Sequence, residues 1–364
     1  MKKSCLASAL VLWSIASTAA SQSRATGYVF LVTADGLRQQ ELLDGVDAAL
    51  MTEGSLEQSG IESLESLREE YWSEDASERR EKLMPFFWRE LSREGIVLGE
   101  VRVKNPHHFS YPGYAEILNG QPQEVVDSND PIFSPRETIL EYVRRKRELS
   151  RYQVAAFASW SVFNWITMHE ENAIFCNAGY EGLGEPRPTG ELRLLDRLQF
   201  EMRTPWDSVR HDSVTLGLAL GYIEARRPTL FYLSLGEMDD WAHQRRYDRA
   251  VQAIRHFDGA LRELWTFLQS TEPYRGRTTL VVTTDHGRGH SSQDWTSHGK
   301  DVPGSDEIWI GVFGPDTPKL GEVRGLENVH QSNIAATILT LLGLDYRDFN
   351  PLADGPITVA LAPP

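Results

Sequence analysis

Three aspartates each follow closely on an apolar, β-branched run. Val32-Thr33-Ala34 leads into Asp35, Leu233-Ser234-Leu235-Gly236-Glu237 leads towards Asp239, and Val282-Thr283-Thr284 leads into Asp285. Open α/β sheets bind their ligands outside the carboxyl ends of the strands, so three such residues are expected to converge. Unscreened, three neighbouring carboxylates repel and cannot all remain ionised; a bound cation removes that conflict. A single strand-end Asp ordinarily caps a helix, and it is the nearby histidines that favour a metal. His243 lies four residues after Asp239, which on a helix puts both on one face. His286 directly follows Asp285, and His298 stands in Trp295-Thr296-Ser297-His298-Gly299. Three Asp with three His make mixed N/O sets suited to zinc or a similar first-row ion. His107, His108, His169, His211, His256 and His330 lack such company and read as surface or structural residues, while His290 is a candidate supporting residue beside the cluster.

A nucleophile is available in His108-Phe109-Ser110-Tyr111-Pro112-Gly113-Tyr114. Pro112 marks a helix start, which puts Ser110 at a helix N-terminus, where the dipole and free N–H groups favour an anion. Read alone, Ser110 is equally an ordinary N-cap. Beside the metal cluster, its hydroxyl would be activated by a cation rather than by a general base.

The elements that must position these residues alternate. Apolar runs recur at Tyr28–Thr33, Val154–Phe157, Thr229–Leu233, Thr279–Thr283 and Ile308–Phe313. Continuous apolar runs suit strands buried on both faces of a largely parallel sheet. Helical patterns cover Glu137–Leu149, Trp206–Arg226, His243–Gln269 and Asn333–Leu342. The expected fold is therefore a three-layer α/β/α sandwich around a mostly parallel sheet. Acidic and arginine residues crowd 53–90, which reads as a helical, solvated insertion and a candidate cap over the site.

Lys2 and Lys3, the apolar run Leu6–Ala16 and the small residues Ser17–Ser21 have the form of a secretory signal peptide. The run is too short to span a bilayer, which needs about 20 apolar residues. The expectation is a signal at 1–20, one metallohydrolase domain at 21–364, and an exported, periplasmic or secreted product without a membrane span. Cleavage there removes two lysines and no acid, taking the formal charge from -15 to -17. That charge argues against a nucleic-acid polymer as the main partner. It is compatible with a small phosphorylated substrate, because bound ions reverse the local field. Only Cys176 remains after cleavage, so stability must come from core burial and not from a disulfide.

Asp35-Gly36-Leu37-Arg38, Ser110-Tyr-Pro-Gly-Tyr with Leu118-Asn119-Gly120, Asp239-x-x-x-His243, Asp285-His286-Gly287 and His298-Gly299 together resemble the alkaline phosphatase superfamily. Their pattern and order are most similar to the nucleotide pyrophosphatase/phosphodiesterase-like branch, and Ser332–Thr337 with Leu342-Gly343 resembles the segment that closes that fold. The resemblance implies two divalent metal ions, with zinc expected. Asp35, Ser110, Asp285 and His286 would hold one; Asp239, His243 and His298 would hold the other. It also implies hydrolysis of phosphoric esters through a phosphoserine on Ser110. Two departures stand out. That branch usually carries an Asn after the proline, where this chain has Gly113, and its commoner nucleophile is Thr. Candidates for the missing anion contact are Arg288, Arg38 and Asn119, of which Arg288 best suits a tetrahedral oxyanion. Three other readings compete. A sulfatase would need Arg four residues after its converted Ser or Cys, where Tyr114 stands; a phosphomutase fits poorly with export; a secreted binding protein would be expected to lack a ligand, and none is missing.

Overall fold

Alternate residues of the strand Tyr28–Ala34 (β1) enter two different cores, because successive side chains of a strand point to opposite faces. Phe30, Val32 and Ala34 join one cluster, whereas Val29 and Leu31 join the other. Both faces are thus covered, and truncating a residue as buried as Phe30 should cost about 3–5 kcal/mol. The computed structural model describes residues 24–51, 64–184 and 190–363. The remaining strands are β2 (Gly95–Arg102), β3 (Val154–Ala158), β4 (Phe175–Ala178), β5 (Leu230–Leu235), β6 (Thr278–Thr283), β7 (Glu307–Phe313) and β8 (Gly321–Val323). They form one eight-stranded sheet in the order β4-β3-β5-β1-β6-β7-β2-β8. From β4 to β6 all neighbours are parallel, and β7 is antiparallel to both β6 and β2. This is the expected sandwich.

Five helices matter for the site: α1 (Ser110–Asn119), α2 (Asp212–Arg226), α3 (Glu237–His243), α4 (Tyr247–Ser270) and α5 (Asn333–Leu341). Leu218 and Tyr222 of α2 and Ile254 and Leu261 of α4 pack in the core with Phe30. Ile117 and Leu118 of α1 and Ile334 and Ile338 of α5 fill the core on the Val29 face.

All five apolar runs form strands, but three further strands were not expected. β2 is interrupted by a register shift between Leu98 and Val101, and β4 and β8 are short, so none shows a sustained pattern. The helix expected over Trp206–Arg226 begins only at Asp212, and the stretch before it is a loop. The helix expected over His243–Gln269 is α4, which starts only at Tyr247, and His243 is the last residue of α3. Arg245 has φ +59°, a left-handed backbone that an α-helix cannot pass through.

The described part of the 53–90 segment is helical, with its charged residues largely exposed and its apolar residues turned into the core. Its helices Leu64–Tyr71, Ala76–Leu83 and Pro85–Arg89 bury Leu67, Tyr71, Leu83, Phe86, Phe87 and Trp88 in the core with Phe30. Asp258 of α4 accepts hydrogen bonds from Phe86 N (3.0 Å) and Phe87 N (2.8 Å), which fixes the last of these helices to the sandwich. Residues 1–20 and 52–63 lie outside the described residues. Among those described, no helix is long and apolar enough to cross a membrane.

Candidate metal centre

β5, β1 and β6 are neighbours, and their register sets Ala34 against Leu235 and Thr33 against Thr283. The three carboxyl ends are therefore level. Asp35 and Asp285 leave the ends of β1 and β6, and Asp239 leaves on α3, just beyond β5. Each of the first two splits its oxygens. Asp35 Oδ2 accepts from the Tyr114 hydroxyl (2.9 Å), and Asp285 Oδ1 accepts from Gly36 N (3.0 Å). Asp35 Oδ1 and Asp285 Oδ2 are buried and have no hydrogen-bond partner. Both unpartnered oxygens lie 3.4 Å from His286 Nε2. His286 Nδ1 donates to the Gly287 carbonyl (2.9 Å), so the lone pair of that ring is on Nε2. Ser110 Oγ is the fourth atom, also 3.4 Å from His286 Nε2. N and O ligands at about 2.0–2.2 Å from a four-coordinate ion stand about 3.3–3.6 Å apart. The donor set and the orphaned oxygens fit a divalent ion.

The second group is Asp239, His243 and His298, whose candidate donor atoms all lie within 4.8 Å of one another. His243 Nε2 is 3.2 Å from Asp239 Oδ2 and 3.0 Å from His298 Nε2. The His286 and His298 rings stack at 4.0 Å and so bring the two groups side by side. Protonation follows burial and charge. Burial, reinforced by Asp239, pushes the Asp35 carboxyl well above its usual range. Burial and Asp35 do the same to Asp285. Burial opposes ionisation of Asp239 too, yet Arg288, His243 and His298 hold its carboxyl well below that range. Burial and His286 push His298 down to about 2, which keeps it neutral. The conflict between carboxylates foreseen from the sequence is present; Arg288 eases it at both Asp35 and Asp239 and outweighs burial only at Asp239.

A protein of the alkaline phosphatase superfamily from Vibrio parahaemolyticus aligns with a TM-score of 0.55 at 14% identity, over 93% of this chain and 71% of its own. The fold is alkaline phosphatase-like. A phosphonate monoester hydrolase from Silicibacter pomeroyi aligns at 0.57 and 12%, over 91% and 75%. A sulfatase-like structure from Bacteroides thetaiotaomicron aligns at 0.56 and 11%, over 88% and 71%. Residues 217–346 match the Metalloenzyme superfamily model, a stretch that holds Asp239, His243, Asp285, His286 and His298. No curated protein matches the sequence.

On this alkaline phosphatase-like scaffold, Asp35, Ser110, Asp239, His243 and His298 line a pocket of about 210 Å³, while Asp285 and His286 are wholly buried. Larger cavities exist among the described residues, such as one of about 490 Å³ beside β4, but neither candidate ligand group lines them. Four polar or aromatic pocket residues were not foreseen: Asn129, Trp160, Ser208 and Asp240. Asn129 sits in the turn-forming Asp127-Ser128-Asn129-Asp130-Pro131, where no periodicity marks it. Its Oδ1 accepts from Tyr111 N (2.9 Å), which caps the helix that carries Ser110. Trp160 and Ser208 are brought together by pairing between the end of β3 and the loop before α2 (Trp160 with Val209). Asp240 is pushed up to about 9, chiefly by burial and then by Asp239 and Asp35.

Of the three candidates for an anion contact, the structure brings only Arg288 to the centre. It is buried, it pairs with Asp239 Oδ1, and its Nε has no partner. It lies so close to Gly36 (φ +59°) that a Cβ there would meet Arg288 Nε at 2.9 Å and Asp239 Oδ1 at 2.7 Å. Arg38 is elsewhere. Its guanidinium is occupied by Glu41, by Asp47 (3.1 Å) and by the Gly289 carbonyl (2.9 Å), so it braces loops and faces no ligand. Asn119 ends α1, about 13 Å along the axis from Ser110, and donates to Ala115 O (2.9 Å) and Ser134 Oγ (3.3 Å). The Gly113 departure also has a physical reason. A Cβ at 113 would stand 2.3 Å from the Asp285 carbonyl oxygen, so no side chain fits between α1 and the metal turn.

Proposed function

We propose that the chain is a two-metal hydrolase of phosphoric esters that acts through Ser110. The observation that carries this reading is the position of Ser110 Oγ, which is as far from His286 Nε2 as the two orphaned carboxylate oxygens are, 3.4 Å. The hydroxyl is both a candidate donor of the first metal set and part of the lining of the pocket that an ester would enter. When bound, the ions supply Lewis-acid neutralisation of the nucleophile and of the leaving oxygen.

The chain's own residues do the rest. Tyr114 holds Asp35 from behind, and the Gly287 carbonyl fixes the His286 tautomer. Ser110 Oγ forms the bond to phosphorus as the ester oxygen departs, and water then hydrolyses the phosphoserine. Asn129, whose Oδ1 is held by Tyr111 N, offers its amide N–H groups to a non-bridging oxygen. Trp160 and Val209 form an apolar wall that limits water around the reacting group. Arg288 adds positive charge beside Asp239 where the ester's charge must be met. A sulfuric ester reaction through a converted Ser110 is disfavoured. The position that would need Arg is Tyr114, buried and committed to Asp35. With the lysine-led apolar N-terminus, the reading is of an exported enzyme.

The test is a hydrolysis screen of zinc-loaded protein over phosphate monoesters, diesters, phosphonates and sulfate esters, repeated with Ser110→Ala. Turnover of a phosphoric ester should collapse by several orders of magnitude, and mass spectrometry of quenched wild-type protein should find phosphate on Ser110. Hydrolysis by Ser110→Ala at the parent rate refutes the nucleophile. Formylglycine at residue 110 would instead establish the sulfatase reading.

A further inference from the structure

We infer that Glu116 is a positioning residue for the nucleophile, tying the loop that delivers Ser110 to the helix that carries it; this rests on the reading of Ser110 as the nucleophile. Glu116 lies six residues after Ser110 on α1 and is fully buried. No Lys or Arg pairs with it among the described residues; the Lys104 side chain goes to Asp354 (2.6 Å) instead. Its carboxylate is met by N–H groups alone. Oε1 accepts from Lys104 N (2.9 Å) and Ser332 N (3.2 Å). Oε2 accepts from Lys104 N (3.0 Å), Asn105 N (2.7 Å) and Asn105 Nδ2 (3.0 Å).

Asn105 passes the constraint on. Its Oδ1 accepts from His107 N (3.2 Å) and His108 N (3.0 Å), and His108 is held at φ +54° two residues before Ser110. The third segment on Glu116 reaches the metal turn as well. Beside Ser332, Gln331 Nε2 donates to Thr284 O (3.1 Å) and Asp285 O (2.7 Å). One carboxylate therefore fixes the approach to Ser110 relative to its own helix and to the backbone of Asp285. This also gives a role to the closing segment around Ser332, which the metal set leaves unused.

Chemistry makes the carboxylate specific. Every partner is a donor, so replacing either oxygen by an amide sets N–H against N–H. Glu116→Gln keeps the volume, empties no metal ligand, and removes only this convergence of acceptors. A shift of the reacting atom by about 1 Å costs about 100-fold in rate. A purely structural role would instead lower thermal stability and leave the chemical step of the folded fraction intact.

The experiment is single-turnover rapid quench of the zinc-loaded protein with bis(4-nitrophenyl) phosphate and 4-nitrophenyl phosphate, following phospho-Ser110 by mass spectrometry. Zinc content and melting are measured beside it. Glu116→Gln should slow phosphoserine formation about 10–100-fold, with KM and zinc content unchanged. Asn105→Ala should slow it similarly, and the double variant should lose no more than the worse single one, because both act through one loop. Asn105→Ala also carries the test should Glu116→Gln not fold. A wild-type rate in either folded variant, or a loss matched by equal loss of zinc or of folded protein, overturns the positioning role. Absence of phospho-Ser110 in the wild-type protein overturns the nucleophile reading and this role with it. Phospho-Ser110 that forms at one rate in wild type and Glu116→Gln overturns this role alone.

Discussion

Replacing Tyr114 by Phe removes one buried hydroxyl and no volume that the core needs. The ring stays packed edge-on against Phe163 at 4.7 Å. What is lost is the 2.9 Å hydrogen bond to Asp35 Oδ2, the contact that leaves Asp35 Oδ1 free to face His286 Nε2, together with a long one accepted from Ser234 Oγ (3.5 Å). A hydrogen bond to a charged acceptor contributes about 1.5–3 kcal/mol. At about 1.4 kcal/mol per factor of ten, that is about 10–150-fold in affinity, in line with the 10–100-fold of outer partners at metal sites. Titration calorimetry of zinc into metal-stripped protein should resolve the loss. The set of Asp35, Asp285, His286 and Ser110 should weaken by about that factor, and the set of Asp239, His243 and His298 should not change. The melting temperature of the metal-free protein should move little, and the stabilisation by added zinc should shrink as RT ln(1 + [L]/Kd) requires. Identical isotherms for both proteins would refute the claim that Tyr114 orients a metal ligand. Weakening confined to the Asp239 set would show that the two sets are wrongly divided.

Elemental analysis of the wild-type protein should find close to two first-row ions per chain, and His243→Ala and His286→Ala should each lose about one; full metal content in either variant removes that His from the ligand set. Gly113→Ala must open the 2.3 Å approach to the Asp285 carbonyl. It should cost about 1–3 kcal/mol in melting experiments and about 100-fold in turnover as Ser110 shifts, and an unperturbed enzyme would show that α1 need not lie so close. N-terminal sequencing of protein exported by a bacterial host should begin near Ser21, whereas retention of Met1 on a membrane-bound product contradicts cleavage.

The residue types and their order determined a great deal by themselves. Five apolar runs alternating with helical patterns suit strands covered on both faces, and together they point to an α/β/α sandwich. Parallel strands send their carboxyl ends to one edge of the sheet, so the Asp residues just beyond β1, β5 and β6 had to meet. The i, i+4 spacing of Asp239 and His243 needed only a helix, and α3 provides it. Interactions between segments far apart in sequence were not legible in the same way. Arg38 and Arg288 are the same residue type, each three residues after a strand-end Asp, yet one is consumed by Glu41 and Asp47 while the other enters the centre. Which arginine faces the ligand depends on which acids fold against it, and sequence spacing carries no record of that. Asn129, Trp160 and Ser208 reach the pocket on irregular backbone, whose path is set by caps and bridges and not by periodicity. Glu116 reads as an apolar helix's odd acid until Lys104, Asn105 and Ser332 close around it. Burial without a counter-ion is costly, and only the tertiary structure could collect the four nitrogen donors that offset it.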